Sequence, residues 1–109
     1  MATFLRNKVV KNIGTTPVDA IQTTPTNRFA VIGCNLANTT DGIVVVNIFV
    51  VDDTSTAGYW VRDLIIPPNT SAKVITNGEK LVLAPNYFLR ISSNTANSID
   101  AVISYAEIV

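Results

Sequence analysis

Short apolar runs alternate along this chain with clusters of glycine, proline, asparagine and aspartate. Valine and isoleucine dominate the runs and favour extended backbone, whereas the clusters favour turns. The pattern predicts nine strands, near residues 4–13, 17–23, 28–37, 43–51, 58–65, 71–76, 79–84, 87–93 and 98–108. Many short strands separated by turn residues indicate an all-β fold. We expect two antiparallel sheets in a β-sandwich of the jelly-roll-like or Greek-key type.

Two dipeptides in this pattern are typical of tight hairpins. Asp41-Gly42 lies between the strands 28–37 and 43–51, and Asn77-Gly78 lies between 71–76 and 79–84. Both dipeptides readily adopt the positive φ angles of type I′ turns, whose twist matches that of paired antiparallel strands. We therefore expect each dipeptide to join two neighbouring strands of one sheet.

Alternation within single strands predicts which side chains face the core, because successive side chains of a strand point to opposite faces. In the strand 28–37, one side carries Ala30, Ile32, Cys34 and Leu36. In the strand 87–93, the side that alternates with Phe88, Arg90 and Ser92 carries Tyr87, Leu89 and Ile91. We expect both sets to face inward. The core residues that we predict with most weight are Leu36, Val46, Ile48, Leu89 and Ile103.

The last segment fits two kinds of element. A short helix over 98–107, capped by Ser98, would place on one face Ile99, Val102, Ile103 and Ala106. The same residues also alternate as in a strand, with one side made of Ala101, Ile103 and Tyr105. A closing strand agrees with a chain that is otherwise made of strands, so we predict a strand.

The segment 43–51 is apolar on both sides, apart from Asn47. The outer face of a two-layer sandwich is normally polar, so one apolar set must be covered by a loop or the N-terminal segment, or by another subunit. We assign residues 1–109 to one domain, with 1–8 as a candidate N-terminal arm. The interface residues that we predict are Phe4, Leu5, Ile43, Val45, Phe49, Val51, Tyr59 and Trp60.

Composition also favours a partner. Hydrophobic residues make up 48% of the 109 residues and charged residues only 15%, so some apolar surface is expected to need cover. Eight basic and eight acidic residues cancel, and the basic ones form no run that would bind nucleic acid. No apolar stretch is long enough for a membrane span, and the N-terminus lacks the apolar region of a signal peptide. We expect synthesis in a cytoplasm, and no nucleic-acid or membrane partner.

The residue types needed for catalysis are scarce. The chain has no histidine, and its single cysteine, Cys34, lies in an apolar strand where a thiol behaves as a small hydrophobe. Asp52 and Asp53, with Asp41 or Asp63, offer oxygen ligands but lack the spacing of a calcium loop. The five glycines are dispersed and form no phosphate-binding loop. We predict no enzymatic activity, no catalytic residue, no cofactor and no metal.

A sugar-binding patch is the alternative that the sequence leaves open. Tyr59 and Trp60 lie beside Arg62, and exposed aromatic side chains next to an arginine can stack on a sugar or a base. An aromatic pair in a strand is more often part of a core and an interface. We therefore prefer the interface interpretation for both aromatic residues.

Several segments, taken in order, carry a family resemblance that spans nearly the whole chain. They are residues 9–17 (VVKNIGTTP), 32–40 (IGCNLANTT), Tyr59-Trp60, 63–69 (DLIIPPN), 81–83 (LVL) and 98–108 (SIDAVISYAEI). Together they resemble small β-sandwich structural proteins of tailed bacteriophages, including those of cyanophages. Members often carry Leu-x-x-Gly-Asp before the penultimate strand, where this chain reads Leu-Ala-Pro-Asn-Tyr at 83–87, which replaces a Gly-Asp turn with a Pro-Asn turn.

The resemblance implies a non-enzymatic virion component that is present in many copies. The role it favours is a capsid decoration or cement protein, with a neck, tail or baseplate building block, or a receptor-binding tip, as alternatives. The implied partners are further copies of the chain, for which we expect a trimer, and other virion proteins such as the major capsid or tail proteins. The implied location is the virion, after synthesis in the cytoplasm of a bacterial host.

Overall fold

A computed structural model describes residues 2–75 and 80–109, and these residues form nine β-strands. Each strand lies within three residues of a predicted one at both ends. The strands are β1 (Thr3–Ile13), β2 (Val18–Gln22), β3 (Arg28–Asn38), β4 (Val44–Val51), β5 (Ala57–Ile66), β6 (Ser71–Lys73), β7 (Leu81–Leu83), β8 (Phe88–Ser93) and β9 (Ile99–Ile108). The all-β prediction is confirmed, and so is the closing strand. Within the described residues, no helix is long and apolar enough to cross a membrane.

The strands form two antiparallel sheets that pack face to face. The first, which we call the β3 sheet, has the order β1-β9-β3-β6, and β7 also pairs with β3. The second, the β4 sheet, has the order β2-β8-β4-β5. The first strand thus lies beside the last and the second beside the penultimate, which is the strand order of a jelly roll. The sandwich prediction is confirmed.

The core lies between the two sheets and is built from branched apolar side chains. The five core residues predicted from alternation are all fully buried: Leu36, Val46, Ile48, Leu89 and Ile103. Ile91 is also fully buried, and Tyr87 packs partly buried against the same cluster. Alternation identified these positions because each lies in a stretch where buried and outward side chains alternate along the strand.

The prediction of a hairpin at Asp41-Gly42 is wrong. β3 pairs with β9, β6 and β7, whereas β4 belongs to the other sheet, so residues 39–43 cross between the sheets. The Asn38 side chain organises this crossover, because its Nδ2 donates hydrogen bonds to the carbonyl oxygens of Gly42, Ile66 and Pro67. The second predicted hairpin, at Asn77-Gly78, lies outside the described residues.

The predicted inward side of β3 is wrong in its first half. Val31 pairs with Tyr105 and Gly33 pairs with Ser104, so Ile32 is an extra residue that forms a β-bulge. The bulge reverses the alternation: Val31 is buried and Ile32 is exposed, while Cys34 and Leu36 beyond the bulge face inward as predicted. Ala30 pairs with Ala106 on the outer side.

Residues 3–8 form the first half of β1. They pair with β9 of the same chain from Thr3 opposite Ile108 to Lys8 opposite Ile103. Every residue from Thr3 to Val9 is nonetheless exposed. Val10 packs partly buried against the core, and Ile13 is the first fully buried residue of β1. Exchange of this segment between subunits stays a prediction.

Candidate interaction surfaces

The outer face of the β3 sheet carries an apolar row that crosses four strands. Residues directly opposite one another in paired strands share a face. The pairing therefore aligns Leu5 of β1, Ala106 of β9, Ala30 of β3 and Val82 of β7. Leu5 is 80% exposed and Val82 is 62% exposed, so large apolar side chains stand at both ends of a row whose middle is made of alanine.

The next row along the strands carries smaller side chains. Asn7, Ser104 and Gly33 lie opposite one another, and the bulge residue Ile32 stands beside them. Beside this row lies an open depression of about 540 Å³. Its lining residues are Leu5, Arg6, Asn7, Ile32, Ser104 and Tyr105. A third row brings Val9 of β1 next to Val102 of β9, and both are exposed.

Charged side chains on this face lie only at its margins, within the described strands. Arg28 lies at one end, opposite Ile108, and Asp100 lies at the other, opposite Ala37. Lys73 of the short strand β6 lies at the side, opposite Asn35. The rows between these margins hold apolar, small or neutral polar side chains. An uncharged centre with a charged margin is the composition of a protein–protein interface.

The outer face of the β4 sheet has a different character. Phe49 and Tyr59 lie opposite each other on β4 and β5, with ring centroids 4.5 Å apart and ring planes at 37°. The guanidinium of Arg62 lies 5.3 Å from the centre of the Tyr59 ring. On the other side of Phe49, Arg90 Nε donates to Asp19 Oδ1 at 3.0 Å. Phe49 is therefore half-buried within its own chain, beside charged groups.

The residues predicted as an interface do not form one surface. Ile43, Val45, Phe49 and Tyr59 share the outer side of the β4 sheet, where Ile43 is 63% exposed. Trp60 is partly buried against the core cluster, and Val51 is 3% exposed, so neither stands out on that surface. Phe4 and Leu5 lie on β1 of the other sheet and, as neighbours in a strand, point to opposite sides.

Four exposed apolar residues of the β3 sheet were missing from the prediction: Val9, Ile32, Val82 and Val102. Alternation of Leu5, Asn7 and Val9 along β1 was a usable signal for the first of them. The bulge hid Ile32, because a strict period of two assigns that residue to the core. Ile65, 62% exposed on the β4 sheet, was also missed.

The side chains considered above for catalysis or metal binding have structural surroundings. Cys34 is buried, and burial raises the pKa of its thiol to about 12. The pKa of Asp52 is lowered first by a hydrogen bond from the Thr54 hydroxyl and then by the Thr56 backbone amide, which is a loop-closing pattern. Across residues 2–75 and 80–109, no three histidine, cysteine, aspartate or glutamate side chains come together to hold a metal.

Comparison with known proteins gives similarity of structure alone. No family model matches this chain, and no curated protein matches it. A chain of the Bacillus endospore appendages, a family of disulfide-linked pili, aligns with a TM-score of 0.61 and 11% identity over 98% of this chain and 88% of that one. A chain of the capsid of Helicobacter pylori bacteriophage KHP30 aligns with a TM-score of 0.56 and 10% identity, over 100% of this chain and 89% of that one.

A third similar structure comes from the capsid of cyanophage Pam1, with a TM-score of 0.51 and 18% identity over 95% of this chain and 84% of that one. The capsid of infectious bursal disease virus contains the same kind of domain, with a TM-score of 0.55 and 9% identity, but this chain covers only 30% of that one. Identities this low establish the fold and not the role. The chain has a β-sandwich fold like that of viral capsid chains, which also occurs in a bacterial pilus.

Proposed function

We propose that this protein is a non-enzymatic structural subunit of a bacteriophage particle, present in many copies and acting through contacts between subunits. The observation that carries the proposal is the outer face of the β3 sheet, where Leu5, Ile32 and Val82 are exposed around an uncharged centre. In a particle built from many sandwich subunits, assembly would bury such an apolar face against a neighbouring subunit. The fold similarity to chains of two phage capsids supports the same class of protein.

Within a particle, we favour a capsid decoration or cement protein. The sandwich aligns with 89% of the KHP30 capsid chain and 84% of the Pam1 capsid chain, so the matched chains are close to this one in size. Its partners would be further copies of itself, with the trimer as the sequence-based expectation, and the major capsid protein. A neck, tail or baseplate position, with tail proteins as partners, is the alternative. Synthesis in the bacterial host before assembly is part of the proposal.

A pilus subunit is less well supported, although the endospore appendage has the same fold. That family is described as disulfide-linked. The one cysteine of this chain, Cys34, is 3% exposed in the core, and its raised pKa keeps the thiol protonated near neutral pH. A link of that kind would require Cys34 to leave the core.

A sugar-binding or receptor-binding tip is also less well supported. Of the residues considered for it, Tyr59 is exposed, and Arg62 lies over its ring. Trp60, however, is partly buried against the core cluster, so its ring is less open to a sugar than that of Tyr59. One aromatic side chain beside an arginine is a small platform for specific binding.

The test is to locate the protein on particles of the phage that encodes it. Antibodies raised against the purified protein would be used for immunogold labelling of those particles, with pre-immune serum as the control. We expect label distributed over the head surface. Label confined to the neck, tail or baseplate would contradict the decoration role. Particles without label and without the protein in their mass spectrum would contradict a virion role.

A further inference from the structure

We propose that the outer face of the β3 sheet binds the same face of a second copy of this protein, in a contact related by two-fold symmetry. This proposal refines the proposed function, since it names the surface through which the subunits associate, and it replaces the trimer expected from the sequence with a two-fold dimer. The face consists of three rows across the strands, which contain Leu5, Ala106, Ala30 and Val82, then Asn7, Ser104, Gly33 and Ile32, then Val9, Val102 and Asn35.

The absence of charge from these rows suits a contact between identical faces. In a two-fold contact each residue meets the same surface patch of the other copy, so a charge near the axis would face a like charge. Among the described residues of this face, Arg28, Lys73 and Asp100 all lie at the margin. The outer face of the β4 sheet lacks this property, because the Arg90–Asp19 pair and Arg62 lie close to its aromatic residues.

The shape of the face is also complementary to itself. Leu5 and Ile32 border a shallow depression of about 540 Å³, whose lining also includes Arg6, Asn7, Ser104 and Tyr105. Arg6, the one charged residue of this lining, is paired with Glu107. Gly33, opposite Ser104 in the central row, adds no side chain to the face. Two-fold symmetry lets the protruding apolar side chains of each copy enter the depression of the other, as side chains of facing sheets interdigitate in a sandwich.

The size of the face is sufficient for a weak but specific dimer. Four strands about 4.8 Å apart, followed for roughly 30 Å from Arg28 at one margin to Asp100 at the other, cover on the order of 600 Å² per copy. The three rows make up about half of this area, and the margins supply the rest. Two copies would bury about 1,200 Å² in total, which is the lower end of the range for specific interfaces. A second copy therefore fits the area, charge and relief of the face together.

Cross-linking at the centre of the face tests the geometry. A residue close to a two-fold axis lies close to its own counterpart, and Ser104 occupies the central row. We expect Ser104→Cys, treated with a short bis-maleimide, to give a covalent dimer. The matched control is Ser92→Cys, which is likewise half-buried on a central strand but belongs to the β4 sheet, and it should stay a monomer. The buried Cys34 gives a low background in both variants.

Sedimentation equilibrium tests the energetics. We expect the wild type to form dimers at tens of micromolar and Leu5→Asp to weaken dimerisation by at least about tenfold. Ile65→Asp, which places the same charge on an exposed site of the other edge strand β5, should dimerise like the wild type. Thermal unfolding followed by circular dichroism would verify that each variant is folded.

The proposal would be overturned by a wild type that is monomeric at about 100 µM, by a wild type that is a trimer, or by dimerisation that is lost in Ile65→Asp and kept in Leu5→Asp. Cross-linking of Ser92→Cys in place of Ser104→Cys would do the same. Particle labelling separates this proposal from the proposed function. A labelled particle with a monomeric protein overturns only the two-fold contact, whereas a dimer that is absent from particles overturns only the virion role.

Discussion

Gly14 occupies a site where a single added carbon would strain the fold. A Cβ built on Gly14 would lie 3.0 Å from the Cα of Ala96 and 3.0 Å from the backbone nitrogen of Asn97. Both are backbone atoms, so the loop before β9 would have to shift. We expect Gly14→Ala to lower the free energy of unfolding by roughly 1–3 kcal/mol.

Urea denaturation of purified variants measures this difference, and Gly33→Ala is the matched control. A Cβ on Gly33 would be 3.7 Å from Ser104, an ordinary contact, and Ala is favoured over Gly within a strand. The control should therefore be neutral or slightly more stable than the wild type. Equal loss of stability in both variants would show that the loop near Ala96 and Asn97 is not the cause.

Cys34 should be a poorly reactive thiol in the folded protein. Burial raises its pKa from 9.0 to about 12, and the thiolate is the form that reacts. At pH 8 we expect a thiol-reactive disulfide reagent to modify the native protein slowly and the urea-unfolded protein rapidly. Rapid modification of the native protein would mean that the thiol is accessible.

The same pKa shift gives a pH dependence of stability. Below pH 9 the thiol is protonated in both the folded and the unfolded protein, so its contribution to stability is complete. As the pH rises from 9 toward 12, the unfolded protein loses its proton first, and the folded state becomes less stable. Cys34→Ala should show a smaller decrease in melting temperature across that interval, because it removes the titrating group.

At the scale of the element, Asn38 controls how the chain leaves the β3 sheet. Its Nδ2 donates to three carbonyl oxygens, those of Gly42, Ile66 and Pro67, at 2.8, 3.0 and 3.1 Å. Its Oδ1 accepts hydrogen bonds from the backbone nitrogen and hydroxyl of Thr40. The side chain is 3% exposed, so each of these bonds is made away from solvent.

Asn38→Asp keeps the size of the side chain and replaces the donating group with a carboxylate oxygen that faces carbonyl oxygens. We expect a loss of at least about 2 kcal/mol in the free energy of unfolding, because the buried carbonyls lose their donor and a charge is buried. Chemical denaturation is the measurement, and Asn7→Asp on the exposed strand β1 is the control. A loss no larger than that of the control would contradict the role of Asn38.

The two sides of β4 should respond differently to truncation. Ile48 is fully buried, and Val45 is half-buried on the outer side. We expect Ile48→Ala, like Leu89→Ala on the adjacent β8, to cost roughly 2–5 kcal/mol of unfolding free energy, because each leaves a cavity in the core. Val45→Ala should cost clearly less. A loss below about 1 kcal/mol for Ile48→Ala would contradict its place in the core.

Strand positions could be predicted from the sequence, whereas strand neighbours could not. Alternation and turn residues are local signals, and they located β4 and the inward side of Ile48. The partner of a strand depends on the whole chain: Asp41-Gly42 suits a hairpin locally, yet the bonds of Asn38 direct it across to the other sheet. The interface assignment stays a prediction. Its residues were chosen without knowledge of strand neighbours, which place Phe49 against Tyr59 on one sheet, while the bulge turns Ile32 outward on the other.

At the scale of the whole molecule, the β3 sheet extends beyond the core. The molecule measures 45 × 27 × 22 Å, and the first half of β1 has exposed side chains on both of its faces. On one side of this segment, Arg6 bonds Glu107 at 2.6 Å, and Glu107 also accepts from Asn27. These bonds lower the pKa of Glu107, Arg6 being the larger cause. They fasten β1 to β9 at the surface, where ion pairs contribute little to stability.

Residues 2–8 should therefore be dispensable for folding and necessary for association. None of them is buried, and the core begins at Ile13, so a variant that lacks them keeps every fully buried side chain. We expect this deletion variant to retain an all-β circular dichroism spectrum and a single cooperative unfolding transition, at a lower melting temperature. It should also be monomeric at concentrations where the wild type dimerises, because Leu5 is lost. The control is Arg6→Ala, which removes the ion pair but keeps Leu5 and should still dimerise.

Hydrogen exchange adds an independent measure: amides of Thr3–Val9 should exchange faster than those of β3 and β4, because this segment can separate from β9 without opening the core. A deletion variant that is unfolded, or a β1 as well protected as β4, would show that the first half of β1 is an integral part of the cooperative sandwich.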